Sequence, residues 1–435
     1  MSTDFQPVEW INTTNIYEVN LRQYTYESSF NAFAKELPRL RDMGIEILWF
    51  MPITPISIEK RKGTLGSYYA TADYQNTNPE FGSLDDFKNL VQYAHQLGFK
   101  VIIDWVINHT GWDHHWTIEH PEYYAKDAEG NFMERNGWDD VIDLDFNNYD
   151  LRTALIDAMK FWINNFDIDG FRCDMAHLVT LDFWKQARTE LEPIKKLFWL
   201  GETEEINYHA VFDVSYAWRW MHTSEDFAKQ KTDINGLWNL LQQYNDQFPA
   251  NAFHAYFTSN HDENSWNGTE YEKYGSAALN LAVFSCLWNG IPLIYSGQEM
   301  PNHKRLKFFD KDAIEWSGKY ELHDFYKTLL NLRKRNIALR ACDNNVSTYR
   351  VQTNVNDKVF AFKRKNGNNE VVVLLNFSDQ ELSVEIFDND LSGLYKNSFA
   401  SDSIDLGTTK HVVIIDLGTT KHVVIHPYNF LVFEK

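Results

Sequence analysis

Asp174, Glu202 and Asp262 each close an apolar, strand-like run: IDGFRCDM, LFWLGET and AYFTSNHDE. Three acids offered from strand ends suit work on a glycosidic bond, in which one carboxylate attacks, a second trades a proton and a third steadies the sugar. In GFRCDMAH, Arg172 and Asp174 stand two apart on a strand and so share a face. A guanidinium there favours the ionised carboxylate that a nucleophile requires. Glu202 follows a large apolar run, a setting that suits the protonated acid a leaving oxygen needs. Taken singly, each acid is also what a helix cap or a salt bridge would leave in a sequence.

The elements that must position these acids recur with a regular rhythm. Apolar runs of strand length occupy 15–24, 45–53, 100–109, 168–175, 197–203, 211–216, 255–263 and 291–300, with helical patterns between most of them. In SLDDFKNLVQYAHQLG, Ser83 is placed as an N-cap, Leu84, Phe87, Val91, Ala94 and Leu97 mark one face, and Gly98 stops the helix. Residues 150–165 read likewise through Leu151, Leu155, Ala158, Met159 and Trp162. The pattern predicts a (β/α)8 TIM barrel, whose reactive groups sit where strands end. Residues 110–145, after the third strand, are polar, aromatic and irregular, and read as a small inserted subdomain. Short alternating runs such as KVFAFKR and VVVLLNFS predict an all-β domain at the C-terminal end. The expected division is 1–109 and 146–340 for the barrel, 110–145 for the insertion and 341–435 for the β-sandwich domain.

The 435 residues carry 41 basic against 61 acidic side chains, a net charge of −20 that disfavours nucleic acid and anionic membranes and fits a neutral substrate. Aromatics make up 15%, and their faces stack on sugars as readily as they fill cores. Cys173, Cys286 and Cys342 have no metal-ligand spacing and imply no disulfide framework. No run reaches the length of a membrane span, and MSTDFQPVEW lacks the pattern of a secretion signal. A cytoplasmic location is expected of the chain as it stands, and a secreted or periplasmic one if a leader was trimmed. His109, His114, His115 and His120 cluster without zinc spacing, and Trp112 and Trp116 among them point to a sugar-facing loop. The segment IDLGTTKHVVI occurs at 404–414 and again, identical, at 415–425. Its DLGTT resembles a phosphate loop of actin-like ATPases, but nothing else of that fold accompanies it, and a tandem duplication forming an extra hairpin is the expectation.

In order, these segments resemble the α-amylase family of glycoside hydrolases over nearly the whole chain. DWVINH (104–109), GFRCDMAH (170–177), LGET (200–203) and FTSNHD (257–262) look like its first four motifs, and VIDLD (141–145) like its short fifth one. GSYYATADY (66–74) supplies the Tyr that lies under the cleaved sugar. The resemblance implies Asp174 as nucleophile, Glu202 as acid/base and Asp262 as the residue that holds sugar hydroxyls. It assigns substrate binding to Tyr69, His109, Arg172, His261 and Asp104. It also implies a calcium ion at the junction of barrel and insertion, with Asn108 and Asp143 offering oxygens, and no organic cofactor. One departure stands out: the family's Lys-His pair after the nucleophile is replaced by His177 and Leu178.

The expected activity is retaining hydrolysis of α-1,4-linked glucans or maltooligosaccharides through a covalent glycosyl-enzyme intermediate. A 4-α-glucanotransferase using the same intermediate is the alternative within the chemistry, and a non-catalytic binding subunit on the same fold is the alternative outside it. Endo or exo action, chain length and oligomeric state stay open.

Overall fold

The structure, a computed structural model, describes residues 5–388, 391, 393–400, 403–405 and 423–435. Both copies of the repeat lie largely outside the described residues, and the expected hairpin falls there.

Ten short strands precede the C-terminal domain. They are β1 (Ile16–Val19), β2 (Ile47–Phe50), β3 (Lys100–Trp105), β4 (His109–Gly111), β5 (Val141–Asp143), β6 (Gly170–Cys173), β7 (Phe198–Gly201), β8 (Val214–Tyr216), β9 (Phe253–Tyr256) and β10 (Ile291–Tyr295). Eight of them close a parallel barrel in the order β1-β10-β9-β8-β7-β6-β3-β2. β4 and β5 pair antiparallel and pin the two ends of the excursion between β3 and the helix Tyr149–Phe166. Closure is tight at β6, where a side chain at Gly170 would place its Cβ 2.1 Å from the Phe198 carbonyl oxygen.

The period of two decides what the barrel holds. Tyr17, Val19, Leu48, Phe50, Val101 and Ile103 pack outward against the helices, while Ile16, Ile47, Trp49, Ile102, Leu200 and Tyr216 fill the barrel interior. The same inward phase carries Glu18 next to Trp49 in register, and Asp104 next to Arg172. The top layer of the barrel is therefore charged and aromatic rather than aliphatic. Helix Leu84–Gln96 opens with a capping box between Ser83 and Asp86. Beyond its end, Gly98 takes the left-handed φ of +86°.

The C-terminal domain packs on the barrel through rings and one buried cation. Phe360 stacks on Trp238 with centroids 4.1 Å apart, and Asn280 donates to the Asn376 carbonyl. Arg364, fully buried, gives its guanidinium to the carbonyls of Trp288, Leu339 and Arg340. Among the described residues, no helix is long and apolar enough to cross a membrane.

Candidate active site

Asp174 follows the last residue of β6 and Glu202 the last residue of β7, and these strands are neighbours. Asp262 comes differently: β9 ends at Tyr256, and the acid stands six residues later at the start of the turn Glu263–Asn267. All three line one cavity of about 530 Å³.

Arg172 organises the floor. One terminal nitrogen reaches Asp174 Oδ1 and Asp104 Oδ1, both at 2.9 Å, and the other lies 2.8 Å from Glu202 Oε2 without hydrogen-bond alignment. Its Nε donates to the Tyr216 hydroxyl at 3.1 Å. Three carboxylates thus share one positive charge in a buried setting. For Asp174, burial pushes the carboxyl well above the usual range; Arg172 opposes, and Glu202 and Asp104 add to the rise. The guanidinium expected to keep this acid ionised is outweighed by desolvation and by two like-charged neighbours. Asp104 is likewise pushed up to about 6, by burial first, with Arg172 opposing.

The turn after β6 is strained in a useful way. Met175 takes a left-handed φ of +40°, rare for a side chain of its size, and its amide donates to Glu202 Oε2 at 2.9 Å. The strands that end at Asp174 and Glu202 are therefore tied by side chain and backbone together.

A second chain of contacts crosses the site. Tyr69 Oη lies 3.2 Å from Asp104 Oδ2 and 2.7 Å from His261 Nε2, and that same nitrogen is 3.2 Å from Asp262 Oδ2. Burial disfavours charge on His261, but Asp262 and Glu18 outweigh it and raise its pKa well above the usual histidine value. His261 returns the effect, holding Asp262 below the ordinary carboxylate range against burial. His109 is the opposite case, pushed down to about 4 by burial, and so neutral.

With this geometry in view, the family profile for the α-amylase catalytic domain matches residues 29–318, and that for the α-amylase C-terminal all-β domain matches 349–435. The chain belongs to the α-amylase family. It is similar to the solved structure of a noncanonic maltogenic α-amylase from Thermotoga neapolitana, at 29% identity and a TM-score of 0.87, covering 97% of this chain and 98% of that one. An α-amylase from Lactobacillus plantarum gives 28% identity, a TM-score of 0.85 and coverage of 98% and 99%. Among curated proteins, an α-amylase of Haloarcula japonica is 26% identical over 393 residues, 86% of this chain. This chain spans only 57% of the length of that relative.

The family's features fall on this chain unevenly. Tyr69, His109, Asp174, Glu202 and Asp262 face the cavity. Arg172, His261 and Asp104, expected to bind substrate, are buried beneath that layer: the inward phase of β3 and β6 aims Asp104 and Arg172 at one another, and His261, in the loop after β9, turns to Glu18, Tyr69 and Asp262. Trp116 is a core ring packed on Tyr74 and Tyr123, and Trp112 donates to the Asp139 carbonyl with Lys60 over its face. The tryptophans that do line the cavity are Trp138 and Trp266. Of the histidine cluster, His114 is buried among aromatics, and His115 and His120 pair with Glu119 and Glu122.

The residues expected to offer oxygens to calcium have other partners for some of their atoms. Asp143, buried, accepts at Oδ2 from Arg135 Nε at 2.6 Å, so a guanidinium already supplies positive charge there; its Oδ1 has no hydrogen-bond partner. Asn108 turns its side-chain nitrogen to His109 Nδ1 and its carbonyl to the Leu144 amide. The carbonyl of His177, close to the family's usual ligand position, accepts from Tyr208. Calcium needs six to eight oxygens, and no group of three or more His, Cys, Asp or Glu suited to a metal exists among the described residues.

Sequence reasoning did not find Glu18, Trp49, Tyr216 or Lys62. For Glu18 there was a signal: an acid in the middle of the apolar run NIYEVNL must be partnered if that run is a buried strand.

Proposed function

We propose that the chain is a retaining glycoside hydrolase cleaving α-1,4-glucosidic bonds in starch-like glucans or maltooligosaccharides. The observation that carries this reading is the single guanidinium of Arg172 in contact with both Asp174 and Glu202. Two carboxyls gathered on one guanidinium at adjacent strand ends suit the short spacing of the covalent route better than the wider one that direct displacement by water needs.

Asp174 attacks the anomeric carbon while Glu202 gives its proton to the departing oxygen. Glu202, now a carboxylate, then takes a proton from water as that water displaces Asp174. Asp262, held ionised by His261, accepts hydrogen bonds from the hydroxyls of the reacting sugar, and Tyr69 and the neutral His109 line its other faces. Arg172, His261 and Asp104 act from below by orienting these groups. The small, buried Ala176 beside the nucleophile and the VIDLD segment support α-1,4 over α-1,6 linkages, to be checked by comparing maltotriose with isomaltotriose.

The α-anomer should be the first product seen by NMR; an initial β-anomer would refute the mechanism. Glu202→Gln should slow maltoheptaose hydrolysis by about 10³-fold yet spare much of the glycosylation rate on a substrate whose leaving group needs no proton. Transfer is the second reading, supported by a relative named cyclomaltodextrin glucanotransferase, 25% identical over 402 residues, of whose length the chain covers 53%. Products longer than maltoheptaose would favour it.

A further inference from the structure

The cavity that holds the three acids continues past Met175 and Glu202. On the continuing side a second cavity of about 600 Å³ shares only Met175 and Glu202 with the first and is lined by Glu204, Trp218, Arg219 and His222 among others. A proton donor must face the departing oxygen. The second cavity therefore takes the leaving part of the chain, and the first cavity, with Asp174 and Asp262, takes the non-reducing part.

The loop 58–66 reaches the first cavity through Lys62, which does not line the second. On the side of the inserted segment, the amides of Ile58 and Glu59 donate to Asp113 Oδ2 at 2.9 and 3.2 Å. Lys62 Nζ reaches Asp139 Oδ1 at 2.7 Å and Asp140 Oδ1 at 2.9 Å. On the side of the loop that follows β10, the Thr64 amide and hydroxyl both donate to Asp310 Oδ1, at 2.8 and 2.7 Å, and the Leu65 amide donates to the Phe309 carbonyl at 3.0 Å. Contact is so close that a Cβ on Gly63 would stand 2.6 Å from that of Phe309. An exposed ion pair alone would hold little. Here backbone and side-chain bonds fasten the loop from both banks, and Lys62 lines the first cavity together with Phe309, Trp138 and Asp140.

We infer that this strap makes the enzyme exo-acting: a glucan enters by its non-reducing end, stops against the Lys62 wall, and loses a short maltooligosaccharide from that end. The inference rests on the hydrolase reading above and adds the substrate's required terminus, a free non-reducing glucose. It predicts that bulk on the terminal 4- and 6-hydroxyls blocks the reaction by collision with the wall rather than by any change at the scissile bond.

The test uses the full chain and two maltoheptaosides labelled at the reducing end, one with a free non-reducing glucose and one carrying a 4,6-O-ethylidene group there. The free substrate should be cleaved about 100-fold faster than the blocked one, with a short unlabelled product from the first turnovers. Equal initial rates, or random internal cleavage of the blocked chain, would overturn the inference. Failure to cleave either substrate would overturn the hydrolase reading, and this inference with it. In the double variant Lys62→Ala, Asp139→Ala the rate ratio of blocked to free substrate should rise about tenfold; an unchanged ratio would overturn the assignment of the wall to Lys62.

Discussion

Glu18 Oε1 lies 2.5 Å from His261 Nδ1, and both side chains are buried. Glu18 belongs to β1, and His261 to the loop after β9, so the contact joins segments 243 residues apart. The imidazole stands between two carboxylates, Glu18 on one nitrogen and Asp262 on the other. Its charge is thereby stabilised at the point where Asp262 must stay ionised.

Glu18→Gln should move the alkaline limb of kcat/KM down by about one pH unit. His261 loses its proton as pH rises through its raised pKa, and with one carboxylate gone that loss comes at lower pH. A pH–rate profile on maltoheptaose checks it; an unmoved alkaline limb with reduced activity would mean that Glu18 only packs.

Asp104→Asn acts on the other limb. Asp174 must be ionised to attack, and Asp104 is among the groups that raise its pKa. Removing that charge also leaves Arg172 more fully to Asp174 and Glu202, so both effects lower the pKa of the nucleophile. The acid limb should shift to lower pH by about one unit, with a fall in kcat as Tyr69 and Trp49 lose their shared acceptor. An acid limb that moves upward would contradict the assignment.

At the β4–β5 hairpin, exhaustive chelation should leave Tm unchanged, because Arg135 rather than a metal balances Asp143. Arg135→Met should lower stability by about 2 kcal/mol, a few degrees in Tm, by leaving a buried carboxylate without its hydrogen-bond donor. A chelator-induced drop, with calcium found by elemental analysis, would restore the metal.

The duplicated segment gives a further test. Ile404 and Asp405 open the first copy and lie in the strand Ser403–Asp405, while Val423–Ile425 closes the second copy and pairs with Leu382–Val384. One copy contains both pieces, ID and VVI, separated by LGTTKH. Deleting 415–425 therefore keeps the sequence of both strands and shortens the connection, a gain of about 1 kcal/mol in loop closure. Specific activity should be unchanged and Tm equal or slightly higher. A folded but inactive deletion protein would refute this.

What the sequence made legible follows from short-range geometry. Arg172 and Asp174 share a face because strands repeat every two residues, and Asp174 and Glu202 stand directly where β6 and β7 stop. The apolar run 255–263 points to Asp262 only by overshooting β9, which ends at Tyr256, whereas the motif FTSNHD points to it directly. The rest depended on distances along the chain that no periodicity encodes: Glu18 to His261, Thr64 to Asp310, Lys62 to Asp140. Nor could composition separate Trp116, a core ring, from Trp266, a cavity wall. The Arg135–Asp143 pair was illegible for a related reason, since the arginine lies outside the motif that contains the carboxylate.

The manner in which Arg364 is buried bears on how the molecule melts. Its guanidinium, pushed down to about 9 by burial and by nearby Arg333 with Asp343 opposing, forms no ion pair with a carboxylate among the described residues and is satisfied by barrel carbonyls at Trp288, Leu339 and Arg340. Separating the β domain from the barrel would strip those acceptors from a charge and uncover the Trp238–Phe360 stack in the same step. Neither piece has a low-energy surface to fall back on, so calorimetry of the whole chain should register one transition rather than two, and the C-terminal domain is better regarded as the last layer of the catalytic unit than as an appendage to it.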